Sequence, residues 1–100
     1  MRKVKFTIKA EESLENILSY LEAKWSEKRK HDFLKISHKS ISTILLYPES
    51  FPCSERNRMI RKCVVTKQTT FYYVFNRKEV TIVAIFDTRQ DPNKIKKDIK

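Results

Sequence analysis

The chain has no glycine among its 100 residues, and only three prolines and two cysteines. Without glycine there is no bare backbone loop to close around a phosphate, so Walker and Rossmann nucleotide sites are excluded. Every tight turn must be made by Asn, Asp, Ser, Pro or Lys instead. Cys53 and Cys63 form neither a CxxC pair nor a zinc spacing, so no metal or other cofactor is expected. No stretch approaches the roughly 18 apolar residues a membrane span needs. The start, Met1-Arg2-Lys3-Val4-Lys5-Phe6, is basic but lacks the apolar core of a signal peptide. Together these features predict a cytoplasmic protein with reduced thiols and no membrane contact. Acids are scarce: 12 Asp+Glu stand against 22 Lys+Arg, a formal net charge of +10. A field of that sign attracts nucleic acid, the ribosome, an anionic membrane surface or an acidic protein.

Hydrophobic residues make up 40% of the chain and charged residues 34%, which suits one folded domain over residues 1–100. Residues 3–8 alternate, with Val4, Phe6 and Ile8 on one side, and read as a half-buried strand. Leu14, Ile17, Leu18, Leu21 and Trp25 fall on one helical stripe, predicting a first helix from about Glu11 to about Lys24. Ser26 is the expected N-cap of a second helix, with Glu27 in its first turn. Its stripe is Phe33, Leu34, Ser37, Ile41, Ile44 and Leu45. Ser37 interrupts it, and Ile36 lies off it. So short a connection makes the two helices an antiparallel hairpin. Pro48 ends the second helix, and residues 47–52 read as an extended, proline-pinned loop followed by a polar, mobile segment at 53–58.

Three strands follow, at 59–65, 69–75 and 80–86, rich in Val, Ile, Phe and Tyr. Lys67-Gln68 and Asn76-Arg77-Lys78 are the expected hairpin turns. The third strand runs into Asp87-Thr88-Arg89-Gln90-Asp91-Pro92, read as a polar cluster that faces solvent at the end of a buried strand. A short basic tail or helix follows at 93–98. The fold class is α+β, ordered β-α-α-β-β-β, with a helical hairpin on a small, mainly antiparallel sheet.

His31 and His38 lie on one helical face but about 10 Å apart along the axis, too far to share a metal ion. No Ser-His-Asp arrangement or paired carboxylates appear. Basic residues gather at Arg56, Arg58, Arg61 and Lys62, and at Arg77, Lys78, Arg89, Lys94, Lys96, Lys97 and Lys100. Arg61 and Arg89 each abut a strand. They fit a phosphate or carboxylate fork if the strands neighbour, or a structural ion pair such as Arg89 with Asp87 or Asp91. Phe71, Tyr73 and Phe75 share one face and Tyr72 the other; most of this run reads as core, with an exposed tyrosine able to stack on a base.

The hairpin with Trp25 at its turn, Pro48 after the second helix, Ile60-Arg61-Lys62, the Phe71-Tyr72-Tyr73-Val74-Phe75 strand and the 85–92 exit resemble, in that order, the RelE/ParE family of bacterial toxins. The resemblance covers nearly the whole chain. It implies the toxin of a type II toxin–antitoxin module, held in a hetero-oligomer by a cognate acidic antitoxin. RelE-like relatives cut mRNA on the ribosome, and ParE-like relatives (plasmid stabilisation) inhibit DNA gyrase. Arg61 and Arg89 match basic positions of the nuclease pattern. Cys63 stands where a lysine is wanted, Thr70-Phe71 where an arginine is, and Ile95 where a catalytic tyrosine falls; no histidine follows His38. A cleaving enzyme must move protons as well as hold charge, so the departures favour a ParE-like inhibitor over an enzyme.

If the chain does cut, it is a metal-independent mRNA endoribonuclease with Arg61, Arg89, Tyr72 and Tyr73 as catalytic candidates. Target or phosphate contacts are expected at Arg58, Arg61, Lys62, Arg89, Gln90 and Lys94. Antitoxin contacts are expected at Trp25, Lys96 and Lys97 and in the groove between hairpin and sheet. A non-toxic basic module binding nucleic acid or protein is the third alternative.

Overall fold

Two helices pack on one face of a four-stranded mixed sheet in a computed structural model that describes residues 2–89. The elements are β1 (Lys3–Phe6), α1 (Ile8–Lys24), α2 (Glu27–Leu46), a one-turn 3-10 helix (Pro48–Ser50), β2 (Arg61–Val64), β3 (Thr69–Phe75) and β4 (Glu79–Asp87). The sheet order is β1-β4-β3-β2. β1 joins at the edge, parallel to β4, and the other two pairings are antiparallel. The α+β class and element order are those expected. The segment at 93–98 lies outside the described residues.

α1 begins at Ile8, not near Glu11. Thr7 is its N-cap, accepting from the Ala10 amide at 3.1 Å. Ile8 continues the strand's alternation in sequence, yet its side chain is 76% exposed. The cap hydroxyl decides the boundary, because it satisfies an amide that the first turn leaves without a partner. Ala10, Ile17 and Leu21 are buried on the core side, flanked by Leu14 and Leu18. Ser26 caps α2 as expected, accepting from Arg29 at 3.2 Å. Phe33, Ser37 and Ile44 of its stripe are buried, and off-stripe Ile36 is exposed.

The stretch after α2 is not extended. Pro48 opens the 3-10 turn and is buried, a use its fixed φ allows at a helix start. Residues 52–54 then fold back on β2, where Cys53 bridges Arg61 and the Lys62 amide donates to the Pro52 carbonyl at 2.9 Å. Lys67-Gln68 is the centre of the first hairpin turn, closed between Thr66 and Thr69. In the second, the Asn76 side chain accepts from the amides of Lys78 and Glu79.

β4 carries the decisive irregularity. Tyr72 pairs with Ala84 but Tyr73 with Ile82, so Val83 is an extra, bulged residue. Strict alternation from Val80 would turn Ala84 and Phe86 inward and Asp87 out. The bulge shifts the phase, and Val80, Ile82, Ile85 and Asp87 are the buried ones. Thr7 fastens it: its hydroxyl donates to the Val83 carbonyl at 3.1 Å while capping α1. The core is Ala10, Ile17, Leu21, Phe33, Ile44, Cys63, Phe71, Tyr73, Val80, Ile82 and Ile85. Each large apolar side chain there contributes about 1.5–3 kcal/mol.

Candidate functional site

Asp87 is 1% exposed, a buried carboxylate rather than the start of a solvent-facing cluster. The bulge brings it opposite Thr69, whose hydroxyl donates to Oδ2 at 2.6 Å. Arg89 donates to Oδ1 through Nε at 2.9 Å and to Oδ2 through Nη2 at 2.6 Å, and its amide reaches Oδ1 at 2.9 Å. Burial alone would push the Asp87 carboxyl up. The bonds from Arg89 and Thr69 outweigh it and hold the group below the ordinary carboxylate value. The same bonds raise Arg89 further. The Arg89 fork is therefore closed on a structural ion pair, the second of the two readings its position allowed.

Arg61 is also engaged. Its Nη1 donates to the carbonyls of Glu49 at 3.0 Å and Phe51 at 2.7 Å, pinning the turn after α2 to β2. Arg61 and Arg89 are not neighbours. β3 separates their strands, and Arg61 is level with Tyr73 whereas Asp87 is level with Thr69. Four residues of strand, about 13 Å, lie between those levels. The second basic group is divided as well, since Arg77 and Lys78 precede β4 and Arg89 follows it.

Tyr73 is fully buried, and its hydroxyl donates to the Pro48 carbonyl at 2.6 Å. Desolvation pushes its pKa up to about 12, against the opposing pull of Arg61. A phenol so placed cannot hand a proton to a bound substrate. Tyr72 is on the other face of the sheet, directly across from Lys62, half-buried, with its phenol raised by desolvation. Arg58 is exposed in the loop before β2. Trp25 is 59% exposed at the hairpin turn, with the Arg29 guanidinium 5.1 Å from its ring centre. Gln90, Lys94, Ile95, Lys96 and Lys97 lie outside the described residues. Among the described residues no three His, Cys, Asp or Glu side chains gather to hold a metal ion.

A groove of ≈ 510 Å³ opens between the helices and β3, lined by Leu14, Leu34, Ser37, Ile41 and Phe71, with His31, Lys35 and His38 also lining it. Ser37 is 5% exposed and its hydroxyl has no hydrogen-bond partner among the described residues. Ser42 and Thr43 on the same helix bond back to the carbonyls of His38 and Lys39. An unpaired buried hydroxyl costs about 1–3 kcal/mol, so this groove floor suits an occupant that brings a polar group. The signal in the sequence was Ser37 breaking the stripe; the surrounding Leu14, Leu34, Ile41 and Phe71 read only as core.

The family model for the ParE toxin of the type II toxin–antitoxin system parDE matches residues 4–92. The chain belongs to this family. A search of curated proteins finds no match. Among solved structures, this ParE-family chain is similar to one described as the chromosomal ParDE toxin–antitoxin system of P. aeruginosa, with TM-score 0.71 and 13% identity over 87% of this chain and 96% of the other. It is also similar to YafQ of E. coli strain BL21(DE3), with TM-score 0.54 and 10% identity over 89% and 96%. A third similar structure is from the E. coli DinJ–YafQ complex, with the same TM-score, identity and coverage. At these identities the likeness is one of fold. No helix among the described residues is long and apolar enough to cross a membrane.

Proposed function

We propose that this chain is a growth-inhibiting toxin that acts by binding an essential protein, DNA gyrase, and that a cognate acidic antitoxin neutralises it. The family match supports a type II toxin. One observation supports the choice of an inhibitor over a nuclease: two of the four catalytic candidates, Arg89 and Tyr73, are already closed on partners. Arg89 is locked on Asp87 and Tyr73 on Pro48, whereas Arg61 is held by two carbonyls and has no acid partner among the described residues. RNA cleavage needs cations free to grip phosphate and groups able to move protons.

A RelE-like ribosome-dependent endoribonuclease is the second reading. It is favoured by Tyr72 and Lys62, paired across β2 and β3 on the face away from the helices. The two are separated by mapping transcript 5′ ends after brief induction and assaying gyrase supercoiling with purified protein. Intact messages and lost supercoiling support the inhibitor. New ends at codon positions inside translated messages reject it.

The antitoxin is proposed to lie in the Ser37 groove, its acids toward His31, Lys35 and His38, and to extend onto the C-terminal tail. Deleting residues 92–100 should weaken that binding, and unchanged affinity would sink the tail contact.

A further inference from the structure

At the end of the sheet away from Asp87, two arginines converge on one ring. Arg2 Cζ lies 5.6 Å and Arg61 Cζ 5.7 Å from the centre of Phe75. Arg2 Nε donates to the Asn76 carbonyl at 2.8 Å, and Arg61 donates to the two carbonyls already described. Neither guanidinium has a carboxylate in ion-pair range among the described residues. Both are oriented by a ring and by neutral backbone oxygens, with donors and charge in excess. Arginine held that way is prepared for a carboxylate at small further entropic cost.

Beside them lies a depression of ≈ 460 Å³ lined by Arg2, Leu46, Tyr47, Pro48, Glu49 and Ser50. Leu46 is 57% and Tyr47 63% exposed at the very end of α2. The Glu49 carboxylate is the acid in that lining, and it pairs with neither arginine. Adjacent exposed apolar surface and uncompensated guanidinium make a two-part recognition surface, and arginine and tyrosine are the residue types that dominate interface energetics.

We propose that this depression binds a partner-protein segment in which a carboxylate sits beside a large apolar side chain. The carboxylate pairs with Arg2, the apolar group covers Leu46 and Tyr47, and Arg61 adds charge from its own place beside Phe75. Phosphate alone would satisfy the arginine but leave Leu46 and Tyr47 uncovered, so a protein segment fits better. The proposal rests on the reading that this chain works through protein partners. Its site is distinct from the Ser37 groove.

The test is a ¹⁵N NMR titration of the full chain with two end-blocked pentapeptides, acetyl-SELWS-amide and acetyl-SQLWS-amide. The acidic peptide should shift the amides of Leu46, Tyr47 and Ser50 and the Arg2 Nε signal. The glutamine peptide should bind about ten-fold more weakly, the worth of one charge-assisted hydrogen bond. Arg2→Gln should remove that difference, whereas Leu46→Ser should weaken both peptides alike. Equal binding of the two peptides, shifts elsewhere, or full reproduction of the shifts by inorganic phosphate would each overturn the proposal. Gyrase supercoiling is read separately. A failed gyrase assay with a positive titration rejects the target and keeps the site, and the reverse result rejects the site alone.

Discussion

Asp87→Asn is the substitution that most directly tests how the end of β4 is held. It keeps the shape of the side chain and removes its charge. Asp87 is 1% exposed and accepts four hydrogen bonds, three from Arg89 and one from Thr69. Breaking a buried pair by removing one partner costs about 3–5 kcal/mol. Arg89 is 24% exposed, so its released guanidinium regains water and the cost falls toward the lower end. We expect about 2–3 kcal/mol, the scale of one or two charge-assisted bonds. For a domain of this size that lowers Tm by roughly 10–20 °C.

The assay is urea and thermal unfolding followed by circular dichroism, run between pH 7 and pH 3. The Asp87 carboxyl is held below its ordinary value when folded, so at acid pH the unfolded chain binds the extra proton. The stabilisation is then complete above the unfolded value of about 3.9 and is lost as pH falls through the folded value. The gap between wild type and Asp87→Asn should narrow below about pH 4. A cost under about 1 kcal/mol at pH 7 would refute the reasoning, since it would mean that the closed fork adds little to a fully solvated pair. A gap that does not change with pH would refute it equally.

Tyr73→Phe should cost about 1–2 kcal/mol in urea unfolding, because it strands the Pro48 carbonyl. In the native wild type, absorbance at 295 nm should show one phenol that resists ionisation until about pH 12, a value set chiefly by desolvation, and that step should vanish in Tyr73→Phe. Ser37→Ala should leave the free protein unchanged or up to about 1 kcal/mol more stable, since it removes an unpaired hydroxyl. Ser37→Trp should fill the groove and abolish antitoxin protection in a growth-rescue assay, and retained rescue would place the antitoxin elsewhere. Ser26→Ala should lower stability by about 1 kcal/mol through loss of the α2 cap, read by urea unfolding.

Much of the architecture was legible because its determinants are local. The helix stripes, the Ser26 cap and the Asn76 turn each depend on residues within four positions of one another. The start of α1 was missed for a local reason of another kind. Val4, Phe6 and Ile8 alternate perfectly, and only the Thr7 hydroxyl, used twice, tells the chain to turn. The pairing of Asp87 with Arg89 was one of two readings, but its burial could not be read. It depends on the bulge at Val83, which nothing in the run Val80-Thr81-Ile82-Val83-Ala84-Ile85-Phe86 marks. That bulge is fixed by Thr7, far away in sequence. Arg61 and Arg89 were rightly singled out as arginines held by strands, but their partners are long-range or buried. Sequence spacing could not rank a phosphate clamp against a structural pin.

That ranking bears on function more than any single contact does. A chain with a net charge of +10 has positive groups to spare, so its charge alone does not distinguish a nuclease from an inhibitor. The distinction lies in which cations are fixed and which are free. Arg89 is neutralised by Asp87, and Arg61 is held on one side by carbonyls and has no acid partner among the described residues. Lys62 and Tyr72 stand together on the face of the sheet away from the helices. One double and one single substitution therefore separate the mechanisms. Lys62→Ala together with Tyr72→Phe should abolish a nuclease's transcript cleavage, whereas an inhibitor leaves transcripts intact with or without the pair, with little effect on folding because neither side chain is in the core. Arg2→Gln touches neither surface that a nuclease or the groove would use. If it alone weakens growth inhibition while the fold and antitoxin binding persist, the end of the sheet carrying Arg2, Phe75 and Tyr47 is where the essential target is held.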